Sequence, residues 1–319
     1  MPEISIPELP AAAGTAWLFP GQGAQHVGMG RELYDQIPAA RAVFEAADEA
    51  LGFSLSELCF EGPEDDLTRT VNAQPALVTH AIAALLAAVE AGSITRQPAF
   101  VAGHSLGEYA ALIVAGAVSF EDGLRLVRER GRLMQEACDA TPGTMAAVLG
   151  LEPDAVSALC AQHGAAICNI NAPGNLTVGG TSEAVAAVSE AATEAGASRV
   201  VSLDVAGAFH TPLMRDAGVA LRQVLASASF ANPRLVVVSN VSGGVLDGNA
   251  SELTGELTDQ VTSPVLWADS VRTMLDGGVA SFVEFGPGRV LTGLVQRTEP
   301  SATLRNVATA ADARGEQSE

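Results

Sequence analysis

Pro98 to Ala115 reads PAFVAGHSLGEYAALIVA, and the order of its textures decides the fold. Pro98 to Ala102 is a short apolar run of the kind that makes a buried strand, and Ser105 to Ala115 has the composition of a helix. Between them Gly103-His104-Ser105-Leu106-Gly107 is a GxSxG element. A sharp strand-to-helix turn lifts a serine hydroxyl clear of the backbone, and the two glycines let neighbouring chain approach closely. The start of the following helix also favours negative charge that develops beside it. GxSxG arises by chance in glycine-rich chains; the strand before it and the helix after it are what mark Ser105 as a nucleophile.

Outward from that turn the chain alternates between strand and helix. Thr15 to Phe19 (TAWLF) is a short apolar run ending in Pro20-Gly21, the pattern of a buried strand entering a loop, with a helix to follow. Ala73 to Ala91 is rich in Ala and Leu at helical spacing, and a further helix is expected from about Glu121 to Ala137. From about Gly143 the texture becomes a compact series: strand TMAAVLGL, a helix from Pro153 to Gln162, strands AAICNIN and NLTVGG, a helix from Ser182 to Ala195, and strand SRVVSLDV. This βαββαβ order is the ferredoxin-like split unit, and we place it at residues 137–203 as an insertion. After His210 the alternation resumes, with LVVVSN near 235 and SFVEFG near 281, so residues 1–136 and 204–319 are expected to form one discontinuous α/β domain. The first 14 residues and the last ten have the composition of a loose leader and a frayed tail.

Composition narrows what such a chain does. Its 319 residues and 48% apolar content suffice for one large core or two domains. The net charge is −20, and phosphate binding needs clustered cations, so neither nucleic acid nor an anionic membrane is expected as a partner. All 17 basic residues are arginine, which removes Schiff-base chemistry, a pyridoxal phosphate enzyme and a P-loop lysine together. Cys59, Cys138, Cys160 and Cys168 show no CxxC or paired-histidine spacing, so four buried thiols are expected rather than a metal site or a disulfide framework. The start lacks the basic and then apolar order of a signal peptide. The longest apolar stretch, Ala110 to Val118, is broken by Gly116 and falls short of the about 20 residues that a membrane span needs. A soluble, cytoplasmic protein is the expectation.

A serine hydroxyl is a weak nucleophile without a base, and five histidines are available: His26, His80, His104, His163 and His210. His104 adjoins Ser105, but consecutive side chains at a tight turn diverge. His210 follows the strand-like run Val200 to Val205 and the turn Ala206-Gly207-Ala208, on a loop at a strand end, where catalytic groups gather. A histidine that only shapes its loop fits the same pattern equally well. Gly21-Gln22-Gly23-Ala24-Gln25 matches neither GxGxxG nor a P-loop, and is either a plain turn or a set of backbone N–H donors for an oxyanion.

Arg130 is the most informative single residue. On its helix Leu126, Val127, Leu133, Met134 and Ala137 surround it on one face, while Arg125, Arg128 and Arg132 fall to the sides or the back. A guanidinium centred on an apolar stripe is buried or faces a cavity, and it needs an anion there. That anion is either a structural carboxylate, the commoner case, or a carboxylate of a substrate.

Five blocks occur in one order: Phe19-Pro20-Gly21-Gln22-Gly23; Gly103 to Tyr109; Arg130-Gly131; Ala208-Phe209-His210 with Pro212-Leu213-Met214; and Glu284-Phe285-Gly286-Pro287-Gly288. Together they resemble the malonyl-CoA:acyl carrier protein transacylase family, which includes acyltransferases of polyketide synthases, over residues 15–308. The resemblance implies an α/β-hydrolase-like large domain beside the ferredoxin-like insert. It implies Ser105 as nucleophile and His210 as base, with the imidazole held by the backbone carbonyl of Gln260 rather than by an aspartate. It further implies oxyanion donors in the backbone N–H groups of Gln22 and Leu106, and a pairing of Arg130 with the malonyl carboxylate. The substrates implied are malonyl-CoA, a coenzyme A thioester and not a resident cofactor, and an acyl carrier protein, joined by ping-pong transfer through a Ser105 ester.

Gly207-Ala208-Phe209-His210 is similar to the HAFH of malonyl-selective polyketide acyltransferases, so Phe209 is expected to crowd an α-methyl branch. Gly207 stands where His is usual, and Asn175 where Gln is common. Three other readings compete: hydrolysis of acyl groups from carrier proteins, transfer of an atypical acyl group, and a non-catalytic docking module on the same fold. Arg130 counts against the hydrolase, since a neutral acyl group gives no reason to bury a cation. Ser105, His210 and Arg130 together count against the docking module, although fold alone permits it.

Overall fold

A computed structural model describes residues 4–246 and 249–316. Among them the strands are, in chain order, β1 (Thr15–Phe19), β2 (Phe100–Gly103), β3 (Thr144–Leu149), β4 (Ala166–Ala172), β5 (Asn175–Gly180), β6 (Arg199–Leu203), β7 (Val236–Val238), β8 (Ser281–Phe285) and β9 (Thr303–Val307). They form two sheets of opposite character. The first has the order β7-β2-β1-β8-β9 with every neighbour parallel. Its strands TAWLF, FVAG, VVV and SFVEF are nearly unbroken apolar runs, as a parallel sheet covered on both faces requires.

The second sheet has the order β4-β5-β3-β6 with every neighbour antiparallel. Helices Pro153–His163 and Ser182–Glu194 cover it, and Ala146, Val148, Val156, Leu176, Val178 and Val188 form a small core of its own. An isolated parallel bridge ties β4 to the segment just before helix Trp267–Asp276: Ile170 N donates to Val265 O at 2.9 Å and Val265 N to Cys168 O at 2.9 Å. The chain is therefore an α/β protein with one parallel and one antiparallel sheet.

Helix Thr70–Glu90 runs through the main core. Its 21 residues are long and apolar enough to cross a membrane, yet 83% of its most apolar window is buried inside the fold, so it is a core helix. Helix Phe120–Ala140 lies against it, three residues longer at its C-terminal end than the sequence suggested. Gly131 permits their approach, since a Cβ there would come within 2.6 Å of Thr70 O. This contact fixes Arg130, the preceding residue, facing Gln74 of the partner helix.

Both chain ends are better packed than the leader and tail expected for them. Ile4, Ile6 and Leu9 pack on the main core, and Ala12 N donates to Gln97 O at 3.1 Å. Near the other end Ala310–Arg314 is a short helix closed by a capping box between Thr309 and Asp312, with Ala310 and Ala313 buried. Residues 1–3 and 317–319 of the two expected segments lie outside the described residues.

Loops at the C-terminal ends of three parallel strands meet around Ser105. β1 leads to Gln22, β2 to Ser105, and β7 to Asn240. From the second sheet β6 leads to Phe209 and His210. Open α/β sheets place ligands at this end of their strands. The β2 turn depends on contact too close for side chains: a Cβ on Gly107 would overlap Phe19 O, and one on Gly103 would overlap the backbone of Gly107. Gly107→Ala is thus expected to force the helix off β1 and destabilise the protein by about 1–3 kcal/mol, the range for overpacking. A thermal unfolding midpoint equal to that of the unchanged protein would show that the turn has slack.

Candidate active site

Ser105 and His210 are, among the described residues, the two non-glycine positions with left-handed backbone, at φ 53° and φ 61°. Such a conformation costs of order 1–3 kcal/mol and persists only where its surroundings hold it. Around Ser105 that hold is explicit. Ser105 N donates to Asn240 Oδ1 at 2.6 Å, and Asn240 Nδ2 donates to Gly103 O at 2.7 Å, so one buried amide clasps both sides of the turn. Gln260 Nε2 donates to Ser105 O at 3.0 Å.

The turn presents Ser105 Oγ to His210 Nε2 at 2.8 Å, while His210 Nδ1 lies 2.8 Å from Gln260 O. A carbonyl oxygen only accepts, so Nδ1 carries the proton and Nε2 is left as the acceptor for the serine hydroxyl. The ring is buried, and its pKa is pushed down to about 3, first by burial and then by the Arg130 cation; the carbonyls of Gln260 and Ser263 only partly oppose this. His210 is accordingly a neutral base at any ordinary pH. His104 is occupied elsewhere: its Nε2 lies 3.0 Å from Asn171 Oδ1, its ring packs at 5.6 Å from that of Trp267, and burial pushes it down to about 4.

Arg130 is 1% exposed. Its Nη1 donates to Gln74 Oε1 at 2.8 Å, and its Nη2 to Gln260 Oε1 and to Ser105 Oγ, each at 3.0 Å. Its Nε has no partner, and among the described residues no carboxylate forms an ion pair with it. Glu108 is near enough to be felt, but it is fully buried and hydrogen-bonded by Gln260 Nε2. Burial, with Glu256 nearby, holds its carboxyl well above the usual range. Glu108 thus acts on the guanidinium only at a distance, with no ion pair between them beside Ser105. Of the two anions the sequence allowed for, no structural carboxylate lies within ion-pair distance of Arg130 among the described residues.

A cavity of about 430 Å³ gathers these groups: Gln22, Ser105, Leu106, Arg130, Phe209 and His210 all line it, and Gln260 reaches its edge through His210 and Arg130. The Ser105 N–H is spent on Asn240, whereas those of Gln22 and Leu106 donate to no protein acceptor among the described residues. Phe209 is a wall of the cavity. Gly207 has no room for the usual histidine of its motif, because a Cβ there would overlap Cys138 Sγ. Gln74, Asn240 and Asn169 also belong to the site, and the sequence reading passed over them. Gln74 carried a signal like that of Arg130, a polar side chain inside an apolar helix. Asn240, at the exit of the VVV strand, carried a weaker one.

Residues 16–315 match the family described as an acyl transferase domain. A malonyl CoA-acyl carrier protein transacylase of Bacillus subtilis is 45% identical over 287 residues, which cover 88% of this chain and 89% of that protein. The polyketide biosynthesis protein ThaF of Burkholderia thailandensis is 41% identical over 302 residues, 92% of this chain but 25% of that longer protein. Among solved structures, a malonyl-transacylase in complex with its type II PKS acyl-carrier protein superposes with a TM-score of 0.90 at 35% identity, covering 95% of this chain and 99% of that one.

An ordinary histidine, with a pKa near 6.5, is about nine-tenths protonated at pH 5.5. Because burial disfavours the imidazolium, His210 stays neutral there. Labelling of Ser105 by a fluorophosphonate is therefore expected to proceed at a nearly constant rate from about pH 7.5 to about pH 5.5. A roughly tenfold fall across that interval would mean that His210 titrates as an ordinary histidine.

Proposed function

This chain belongs to the acyl transferase domain family, and from that membership we propose that it moves a malonyl group from coenzyme A to the phosphopantetheine thiol of an acyl carrier protein through an ester on Ser105. The observation that carries the choice of acyl group is the buried guanidinium of Arg130, 3.0 Å from Ser105 Oγ and, among the described residues, in no ion pair with a carboxylate. A malonyl carboxylate supplies the missing anion, and a planar guanidinium meets it with two parallel donors.

In the first half-reaction Ser105 Oγ gives its proton to His210 Nε2 and attacks the thioester carbonyl. The carbonyl oxygen becomes an oxyanion, which the backbone N–H groups of Gln22 and Leu106 are free to receive. The intermediate collapses, the carbon–sulfur bond breaks, and His210 returns the proton to the departing coenzyme A thiol. The second half-reaction runs the same steps with the carrier thiol as nucleophile and Ser105 as leaving group. Gln260 O keeps the imidazole in the tautomer that both halves need and stands where a triad aspartate would. Phe209 narrows the cavity beside the acyl group and disfavours an α-methyl branch. The groups assigned to the transfer are side chains and backbone N–H and C=O groups of this chain, and coenzyme A enters and leaves as substrate.

We assign residues 1–136 and 204–319 to an α/β-hydrolase-like catalytic unit, a reading supported by a parallel sheet whose β2 ends in the nucleophile turn. The ferredoxin-like description of residues 137–203 is supported by the βαββαβ order and the antiparallel order β4-β5-β3-β6. A reducing, cytoplasmic setting suits the four free buried cysteines.

Two tests follow from the roles assigned. Brief exposure to malonyl-CoA without carrier should leave a malonyl ester that intact mass places on Ser105; it should be absent from Ser105→Ala and form about 10²-fold more slowly in His210→Ala. Malonyl labelling that survives Ser105→Ala would remove the covalent mechanism. For Arg130→Ala, truncating one side of a buried charge pair costs roughly 2–5 kcal/mol, so malonyl transfer should fall by about 10²-fold or more. Acetyl transfer should hold steady or rise, because it loses only an unpaired buried cation, and lysine at 130 should rescue in part. An unchanged ratio of kcat/KM for malonyl-CoA and acetyl-CoA would place selectivity elsewhere.

A further inference from the structure

Glu108 is the one charged residue of helix Gly107–Val114, GEYAALIV, which is buried along its whole length. It stands behind the cavity rather than in its wall, so it touches no substrate. Burying a carboxyl is costly, and the transfer steps make no use of this one. Its bonding shows what it does hold. Oε2 accepts from Gln260 Nε2, while Oε1 has no partner. Gln260 is itself 1% exposed, with Oε1 accepting from Arg130 Nη2 and Nε2 donating to Ser105 O, each at 3.0 Å.

The two ends of a primary amide have nearly the same shape, so packing does not choose between the Gln260 orientation seen here and the one turned over. Its hydrogen-bond partners do. Turned over, Nε2 would aim its hydrogens at a guanidinium that only donates, and Arg130 Nη2 would keep Ser105 Oγ as its one acceptor. Ser105 O already receives Glu108 N at 3.1 Å, so it does not depend on Gln260 for a donor. Glu108 does depend on it, because an ionised carboxyl offers only acceptors and a neutral one keeps a carbonyl oxygen. On the malonyl reading, on which this inference rests, Arg130 has to be fixed before the acyl carboxylate arrives. We infer that Glu108 is a positioning residue for malonyl selectivity: its Oε2 anchors Gln260 Nε2 and thereby keeps Gln260 Oε1 against Arg130. The carboxyl acts through the amide and not through its charge.

The test is the ratio of kcat/KM for acylation of Ser105 by malonyl-CoA and by acetyl-CoA, followed by intact mass. Both rates come from one protein sample, so loss of folded enzyme cancels. Glu108→Met, similar in length and without an oxygen, is expected to lower the ratio about 10-fold, the scale of one hydrogen bond to a charged group. Glu108→Ala carries the same expectation should the methionine variant not fold. Glu108→Gln, which keeps an acceptor for Gln260 Nε2 and has no charge, should hold the ratio within about twofold of the unchanged protein. Gln260→Met, which retains the backbone carbonyl that holds His210, should lower the ratio by itself, and adding Glu108→Met to it should lower the ratio no further. A ratio that survives Glu108→Met or Glu108→Ala makes Glu108 a core residue only and overturns the inference. So does a ratio that falls as far in Glu108→Gln, since the charge would then be the cause, and so does a further fall in the double variant. If malonyl-CoA fails to acylate Ser105 in the unchanged protein, the transferase reading falls and this inference with it.

Discussion

A guanidinium held in the interior without a carboxylate partner is the constraint to which the rest of the site answers. Arg130 is charged at any physiological pH, and three of its contacts are neutral oxygens: Gln74 Oε1, Gln260 Oε1 and Ser105 Oγ. Neutral dipoles make such a cation tolerable but do not neutralise it. The protein therefore builds its interior around the charge. Gly131 brings helix Phe120–Ala140 close enough to helix Thr70–Glu90 for Gln74 to reach it. Glu108, a buried carboxyl that acts on Arg130, is pushed toward its neutral form by its own burial and by Glu256. What remains is a fixed positive charge at Ser105, which on the proposed reaction is a preorganised partner for an anion that arrives with the substrate.

Gln260 carries the geometry from that cation to the base. Its backbone carbonyl holds His210 Nδ1, its Oε1 accepts from Arg130, and its Nε2 donates to Ser105 O and to Glu108. One residue thus spans base, cation and nucleophile turn. Asn240 performs the complementary task from β7, tying Ser105 N to Gly103 O. Two left-handed residues meeting at 2.8 Å need such redundancy, because the strain at each would otherwise relax the contact.

Much of this was legible in the chain. The strand–GxSxG–helix order of residues 98–115 located the strained serine turn, because sterics at a tight turn permit few residue types. The helical period around Arg130 located the cation, because burial of charge is rare enough to be informative. The βαββαβ order was visible because each of its elements carries its own periodicity. The partners of these groups were hidden for a common reason. Asn240 lies 135 residues from Ser105 and Gln74 lies 56 from Arg130, so their pairing depends on how sheets and helices stack rather than on local spacing. His210 had no local mark that set it apart from a loop histidine, and Gln260 acts on it through a backbone carbonyl, which any residue possesses. The packed chain ends were misjudged because small and apolar residues such as Ile4, Ile6 and Ala310 suit a frayed segment and a docked one alike.

The cation and the base also influence one another, and this ties substrate choice to chemistry on the proposed reaction. Arg130 is the second cause, after burial, of the low basicity of His210. A base pushed down to about 3 accepts a serine proton poorly, since the driving force for proton transfer falls with basicity. A malonyl carboxylate laid against Arg130 cancels part of the positive field at the imidazole and so raises the basicity of His210, while burial, the larger cause, continues to hold it down. A neutral acyl group leaves that field in place. The same charge that binds the malonyl group thereby makes the base stronger when that group is present. Binding energy realised at the carboxylate is then expressed at the reacting carbonyl, where it lowers the barrier instead of merely tightening the complex.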